Sequence, residues 1–250
     1  MKYFLYLGVI LLVTTSCQTD PSAQEIIDRS IEAHGGSKVY NSKFSFDFRD
    51  KHYEAVYING DYTLSRQFTD SLNNQIKDVL TNSGFERSIN DTLIILTDDW
   101  KTKYSNSVNS VIYFFRLPFN LTDPAVNLTY LGKGKIEGKT YFKIKVAFAK
   151  EAGGEDFTDQ FVYWFNTQTY TMDYMAYEYA TSGGGKRFRK AYNQRSINGW
   201  LISDYHNYEP LDISIDIEVY DQYFEKGGLK NLSEIVNRNV NVEFLDPKTH

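Results

Sequence analysis

Two hydrophobic periods alternate along this chain, and they predict its elements. Ala23, Ile26, Ile27, Ser30 and Ile31 fall at three- and four-residue spacing, which places one apolar stripe on a helix. Ser22 with Glu25 three positions on forms a capping box at its start, and His34-Gly35-Gly36 closes it. The period then changes to two: Phe44, Phe46 and Phe48 alternate with Ser45, Asp47 and Arg49. Asp50-Lys51 reads as a turn into a strand from His52 to Ile58, and Asn59-Gly60 is a two-residue hairpin signal. A strand from Tyr62 to Phe68 and shorter ones at Ile76 to Leu80, Phe85 to Ile89 and Thr92 to Leu96 continue the meander, with Asn90-Asp91 as a turn.

A second helical stretch interrupts it from Asp98 to Leu117, where Trp100, Tyr104, Val108, Val111, Ile112 and Phe115 recur at helical spacing. Asp98 or Asp99 caps its start and Pro118 enforces its end. Sheet resumes at Leu128 to Gly132 and Tyr141 to Phe148, then at Thr158 to Phe165 and Thr171 to Tyr179. Lys186 to Tyr192 and Leu201 to Tyr208 follow. Ile213, Ile215, Ile217 and Val219 alternate as a further strand, Ser233 caps a short helical turn, and Val240 to Phe244 closes the chain. Roughly ten to thirteen antiparallel strands with two helices predict a mainly β, α+β fold. Its form is a single curved antiparallel sheet or half-open β-barrel, with an N-terminal helix and a mid-chain helix. No repeat or linker divides residues 23–250, which read as one domain.

The first residues follow neither period. Lys2 precedes an unbroken apolar run from Tyr3 to Val13. As a helix that run is about 16 Å long, well short of a bilayer core of ~30 Å. It has the length of a signal-peptide core, and Thr14, Thr15 and Ser16 supply small residues directly before Cys17. Cys17 is the sole cysteine of the 250 residues, so it has no internal disulfide partner. The expectation is a lipoprotein signal at residues 1–16, lipid attachment at Cys17 and a tether over residues 17–22.

Composition sharpens the picture in two places. Aromatic residues make up 16% of the chain, which favours half-buried pleated surfaces and hence sheet. The formal net charge of −5 gives no global reason to bind nucleic acid.

Several short motifs carry a family likeness. They are Ile26-Ile27 through Ala33-His34-Gly35-Gly36, Asn82-Ser83-Gly84-Phe85, Leu117-Pro118-Phe119-Asn120-Leu121, Trp164-Phe165-Asn166 and Lys226-Gly227-Gly228-Leu229. With the lipoprotein signal and the order of elements, the chain resembles a Bacteroidota lipoprotein family of unassigned function, similar to the LolA/LolB-like lipoprotein-carrier architecture. The resemblance implies a half-closed barrel around helices that holds acyl chains. It also implies a place in the cell envelope, anchored at the outer membrane and facing periplasm or cell surface.

Catalytic chemistry is thin. His34, His52, His206 and His250 lack metal-ligand spacing, and no Gly-x-Ser-x-Gly elbow occurs. No catalytic residue, metal ligand or cofactor is expected. His34 supplies a cation-capable group at a helix C-terminus. Ser182-Gly183-Gly184-Gly185-Lys186-Arg187 departs from a phosphate loop, because Arg187 follows the lysine and a strand, not a helix, comes next. It reads as a hairpin loop, with Lys186, Arg187, Arg189 and Lys190 as a possible basic contact patch. Asp212, Asp216 and Glu218 share a face of the expected strand, where solvated side chains or, less simply, a calcium site would fit. If the sheet is an open half-barrel, the mid-chain helix lines its cavity, and Trp100, Tyr104, Val111 and Phe115 become the ligand-binding candidates. The leading reading is non-catalytic binding or carriage of a hydrophobic ligand, a lipid or acyl chain, by a membrane-anchored protein. A protein-recognition module with a filled core and an envelope hydrolase remain as alternatives.

Overall fold

The computed structural model describes residues 20–149, 159–180 and 183–248. The signal reading and Cys17 lie outside the described residues. Helix α1 spans Ala23–His34, and its capping box forms: the Glu25 N–H donates to Ser22 Oγ, and the Ser22 N–H donates to Glu25 Oε2 at 2.7 Å. Its stripe of Ile26, Ile27 and Ile31 is buried.

The first sheet is built from β1 (Ser42–Phe48), β2 (Lys51–Ile58), β3 (Asp61–Thr69), β4 (Gln75–Thr81), β5 (Gly84–Ile89) and β6 (Thr92–Leu93). These run as a meander, each paired antiparallel to the next. Asn59 and Gly60 form the two-residue turn between β2 and β3, with φ of 53° and 89°, the left-handed values that this turn type requires at both positions. Helix α2 (Asp98–Phe115) then crosses to the second sheet. That sheet holds β7 (Val126–Ile136), β8 (Lys139–Phe148), β9 (Gln160–Asn166), β10 (Met172–Tyr179), β11 (Gly185–Ile197), β12 (Trp200–Pro210) and, after a helical excursion, β13 (Leu229–Ile235). β14 (Asn237–Phe244) leaves it at once and pairs with β1.

The mainly β, open architecture with its two expected helices is present. Its hydrogen-bonded ladder is divided into two seven-stranded antiparallel sheets. They meet along one side, where the chain steps from β13 to β14. Buried Asp204 secures that step: it accepts from the Asn237 N–H at 2.9 Å and from Asn193 Nδ2 at 2.7 Å, and pairs with Arg195 at 3.1 Å. On the other side no strand pairing joins β6 to β7, and α2 is the connection.

One core fills much of the space between the sheets. Phe161, Tyr163 and Phe165 of β9 enter it, as do Phe44 and Phe46 of β1 and Trp200 of β12. A second core lies on the opposite face of the second sheet, where Val162, Trp164, Tyr174 and Phe188 are covered by the excursion between β12 and β13. That excursion corrects the expected strand at Ile213 to Val219. Residues Ile217–Val219 form a 3-10 turn leading into helix α3 (Tyr220–Glu225). The Asp212 and Asp216 carboxylates accept from the Ser214 and Glu218 N–H groups, closing local turns that compete with a strand. Of the alternating apolar residues, Ile217 is buried while Ile213 is exposed. With no strand there, the strand face expected to hold Asp212, Asp216 and Glu218 does not form, and Glu218 pairs with Lys145. Ser233, expected to cap a helical turn, lies inside β13 and accepts from Asn207 Nδ2 at 3.2 Å.

Lys143 of β8 and Asp221 of α3 form a buried ion pair beneath this cover, at 3.2 Å. Gly134 of β7 makes room for it: a Cβ there would stand 2.3 Å from Asp221 Oδ2 and 3.0 Å from Lys143 Cδ.

Candidate ligand site

Helix α2 organises the unfilled part of the interior. Its N-cap is Thr97, so Asp98 and Asp99 occupy the first turn and favour the positive end of the helix dipole instead of capping it. Val108, Ile112 and Phe115 form the buried stripe. Phe115 stacks on Phe46 with centroids 4.0 Å apart and on Phe44 at 5.2 Å, and meets Trp200 edge-on at 5.8 Å.

A buried charge network fixes the helix to the first sheet. Asp78 of β4 is fully buried and accepts from Arg66 of β3 and Arg87 of β5. Arg66 Nη1 also donates to Ser107 Oγ of α2 at 2.7 Å, and the Arg87 guanidinium lies 3.4 Å from the centre of the Tyr104 ring. Each cation thus meets a carboxylate on the sheet and a helix side chain above it.

Two cavities flank α2. A smaller one, ≈170 Å³, is lined by Val111, Phe114 and Phe115 of the helix, by Ile202 and Tyr205 of the second sheet and by Asn237 at the start of β14. A larger groove, ≈770 Å³, lies between Tyr57, Tyr62 and Leu64 on one side and Phe148, Phe161 and Tyr177 on the other. Ser110 and Phe114 line both. The ring of Phe114 is 5.1 Å from Tyr177, and the Arg189 guanidinium sits 4.1 Å from its centre.

The four residues singled out from sequence therefore separate. Val111 and Phe115 line the smaller cavity, and Phe115 belongs at the same time to the packed stripe. Tyr104 stacks between Arg87 and Trp100, and Trp100 is 48% exposed; neither lines either cavity. The expected basic patch divides as well, because residues alternate across β11. Lys186 and Lys190 pair with Glu178 and Glu137, whereas Arg187 lines the groove and Arg189 the smaller cavity. Period two along a strand was the signal for this split.

His34 also lines the smaller cavity. Its Nδ1–H donates to the Ser30 carbonyl at 2.7 Å, and the Met172 N–H faces Nε2 at 3.5 Å. Burial pulls its pKa below the ordinary histidine value and so favours the neutral ring over the cation-capable role read at this helix end.

Arg116, which the sequence reading passed over, stands at the C-cap of α2 and lines the groove. The segment after it holds it in place. Pro118 stops the helix, Phe119 and Leu121 are buried, and Asn120 Oδ1 accepts from Arg116 Nη1 at 2.6 Å. Asn120 Nδ2 donates in turn to the Tyr113 carbonyl at 3.0 Å. Burial lowers the Arg116 pKa from the ordinary arginine value, with the Tyr57 and Tyr40 phenols acting in the other direction.

Among the described residues, no three His, Cys, Asp or Glu side chains converge as metal ligands, and no helix is long and apolar enough to cross a membrane. Both His–carboxylate contacts among them, His52–Asp47 and His206–Glu234, lie outside the two cavities.

Fold and site together define an open, mainly antiparallel α+β protein with unfilled space on either side of a central helix. The chain belongs to a family of unknown function, DUF6503, whose model matches residues 1–237. Among solved structures, a DUF1329 family protein from Desulfovibrio piger has the same fold, with a TM-score of 0.51 at 12% identity over 89% of this chain and 93% of that one. A LolA superfamily protein from Nitrosomonas europaea is similar at a TM-score of 0.49 and 11% identity, over 92% and 97% of the two chains. No curated protein matches the sequence. The family reading made from the motifs agrees with the family match.

Proposed function

We propose that this is a cell-envelope lipoprotein, anchored through lipid on Cys17, whose folded domain binds or carries a hydrophobic ligand such as a lipid or acyl chain without catalysing a reaction. The observation that carries the reading is the groove of ≈770 Å³ beside α2, walled by aromatic side chains from both sheets. Ligand pockets occupy about 300–1,000 Å³ and are lined mainly by apolar and aromatic groups, with a few polar groups that set orientation. Tyr57, Tyr62, Tyr113 and Phe161 provide the first kind of wall, and Arg116 and Asn120 the second.

The space weighs against a recognition module with a filled core. The hydrolase alternative needs a proton-transfer pair beside a nucleophile in the cavity. No histidine lines the groove among the described residues, and the one lining the smaller cavity, His34, contacts backbone groups and the Ser30 hydroxyl. The test is native mass spectrometry of residues 18–250 purified from cells under gentle conditions. Carriage predicts adducts of lipid mass that solvent extraction removes. Bare polypeptide mass, with no binding of a fluorescent fatty-acid probe, would refute it.

A further inference from the structure

Five cationic side chains other than histidine are buried among the described residues: Arg66, Arg87, Arg116, Lys143 and Lys186. Four have a carboxylate. Arg66 and Arg87 share Asp78, Lys143 pairs with Asp221 and Lys186 with Glu178. Arg116 is 8% exposed, and no carboxylate of the described residues pairs with it. Its guanidinium lies 4.0 Å from the Tyr57 ring centre and 5.5 Å from that of Tyr40. The C-terminal end of α2 adds a partial negative charge. These contacts only partly replace a counter-ion. Arg116 Nε is buried and has no hydrogen-bond partner, and Nη1 is engaged by Asn120 alone.

A guanidinium offers five N–H donors in a rigid fork suited to carboxylate and phosphate oxygens. Held by Asn120 at the wall of the groove, this one has donors to spare. The groove as a whole is not basic, since Asp123 and Asp159 line it along with Arg187. Asp123 accepts from the Ala125 N–H at 2.9 Å and Asp159 from the Ala180 N–H at 3.2 Å. Arg187 donates to the Lys186 carbonyl at 2.8 Å and is only partly buried, so Arg116 is the buried cation of the groove. Apolar wall for a tail comes from Leu64 and Leu80 of the first sheet and Phe148 and Phe161 of the second.

We propose that the groove takes an amphiphile with a single anionic head, a carboxylate or phosphate, seated on Arg116, with its apolar tail between the two sheets. The proposal deepens the carriage reading and rests on it. A charge-assisted pair in a site that excludes water strengthens binding by about tenfold or more relative to a neutral head on the same tail.

The experiment compares oleate, oleoyl lysophosphatidate and methyl oleate binding to delipidated residues 18–250 by calorimetric titration. The wild-type protein should bind at least one anionic probe about tenfold more tightly than the ester. Arg116→Gln should bring that ratio close to one, and Lys190→Gln, which removes a cation outside both cavities, should leave it unchanged. Equal binding of all three probes by wild type, or a preference that survives in Arg116→Gln, overturns the proposal while carriage stands. Binding of none of the probes overturns both. Should Arg116→Gln fail to fold, the wild-type ratio still decides, and Asn120→Ala, which frees the guanidinium to swing, should reduce it.

Discussion

Asp78 offers a direct measure of what fastens α2 over the first sheet. The substitution Asp78→Asn keeps size and shape and removes the charge. In the native protein the carboxylate has no exposed surface and accepts four hydrogen bonds, from Nε and Nη2 of both Arg66 and Arg87, at 2.5 to 2.9 Å. Both arginine side chains are almost as deeply buried, at 6% and 10% exposure. Removing one partner of a buried ion pair costs about 3–5 kcal/mol, mainly because the remaining charge is left without compensation. Here a single anion serves two cations, and the new amide would turn donors of its own toward one of them. The upper part of that range, about 4–5 kcal/mol, is therefore expected. At about 2–4 °C per kcal/mol for a domain of this size, the melting temperature should fall by about 10–15 °C. Urea denaturation followed by circular dichroism measures the loss. Lys43→Gln serves as the comparison, because the Lys43–Glu54 pair is 44% and 40% exposed and should contribute less than about 1 kcal/mol. A loss below about 1 kcal/mol for Asp78→Asn would refute the argument that burial makes this carboxylate indispensable. The same variant should loosen α2, because Ser107 and Tyr104 contact those two arginines.

Gly134→Ala should destabilise by about 1–3 kcal/mol through overpacking, since its Cβ would displace Asp221 from Lys143; urea denaturation checks it, and wild-type stability would show that α3 can shift at no cost. His34 has its folded pKa depressed by burial, so its unfolded form binds a proton first. Its contribution is complete above the unfolded value of about 6.5 and is lost as pH falls toward the folded value, at no more than about 1.4 kcal/mol per pH unit. The difference in stability between wild type and His34→Gln, measured by urea denaturation, should therefore shrink from pH 7.5 to 5.5. Cys17→Ala should release the protein from membranes or block its processing; incorporation of labelled fatty acid into that variant would rule out acylation at Cys17.

The parts of this molecule that were legible in its sequence are those decided within a few residues. The Ser22–Glu25 box, the Asn59-Gly60 hairpin and the stop at Pro118 each express a backbone requirement that one or two side chains satisfy on the spot. The meander followed, because period-two runs joined by such turns pair with their neighbours. Where strong local signals were lacking, distant segments decided. Ile213 to Val219 has the alternation of a strand, yet Asp212 and Asp216 close local turns there, and Ile215 and Ile217 pack on a sheet face already studded with Trp164 and Phe188. Tyr104 and Phe115 share one helical stripe, but Arg87 waits beneath the first and Phe46 beneath the second, 17 and 69 residues away in the chain. Arg116 is the sharpest case. Its charge was visible in the sequence; that every other buried lysine and arginine among the described residues found a carboxylate there, while it found two tyrosines, Asn120 and an open groove, is a property of the packed sheets, because a counter-ion is a neighbour in space and not in sequence.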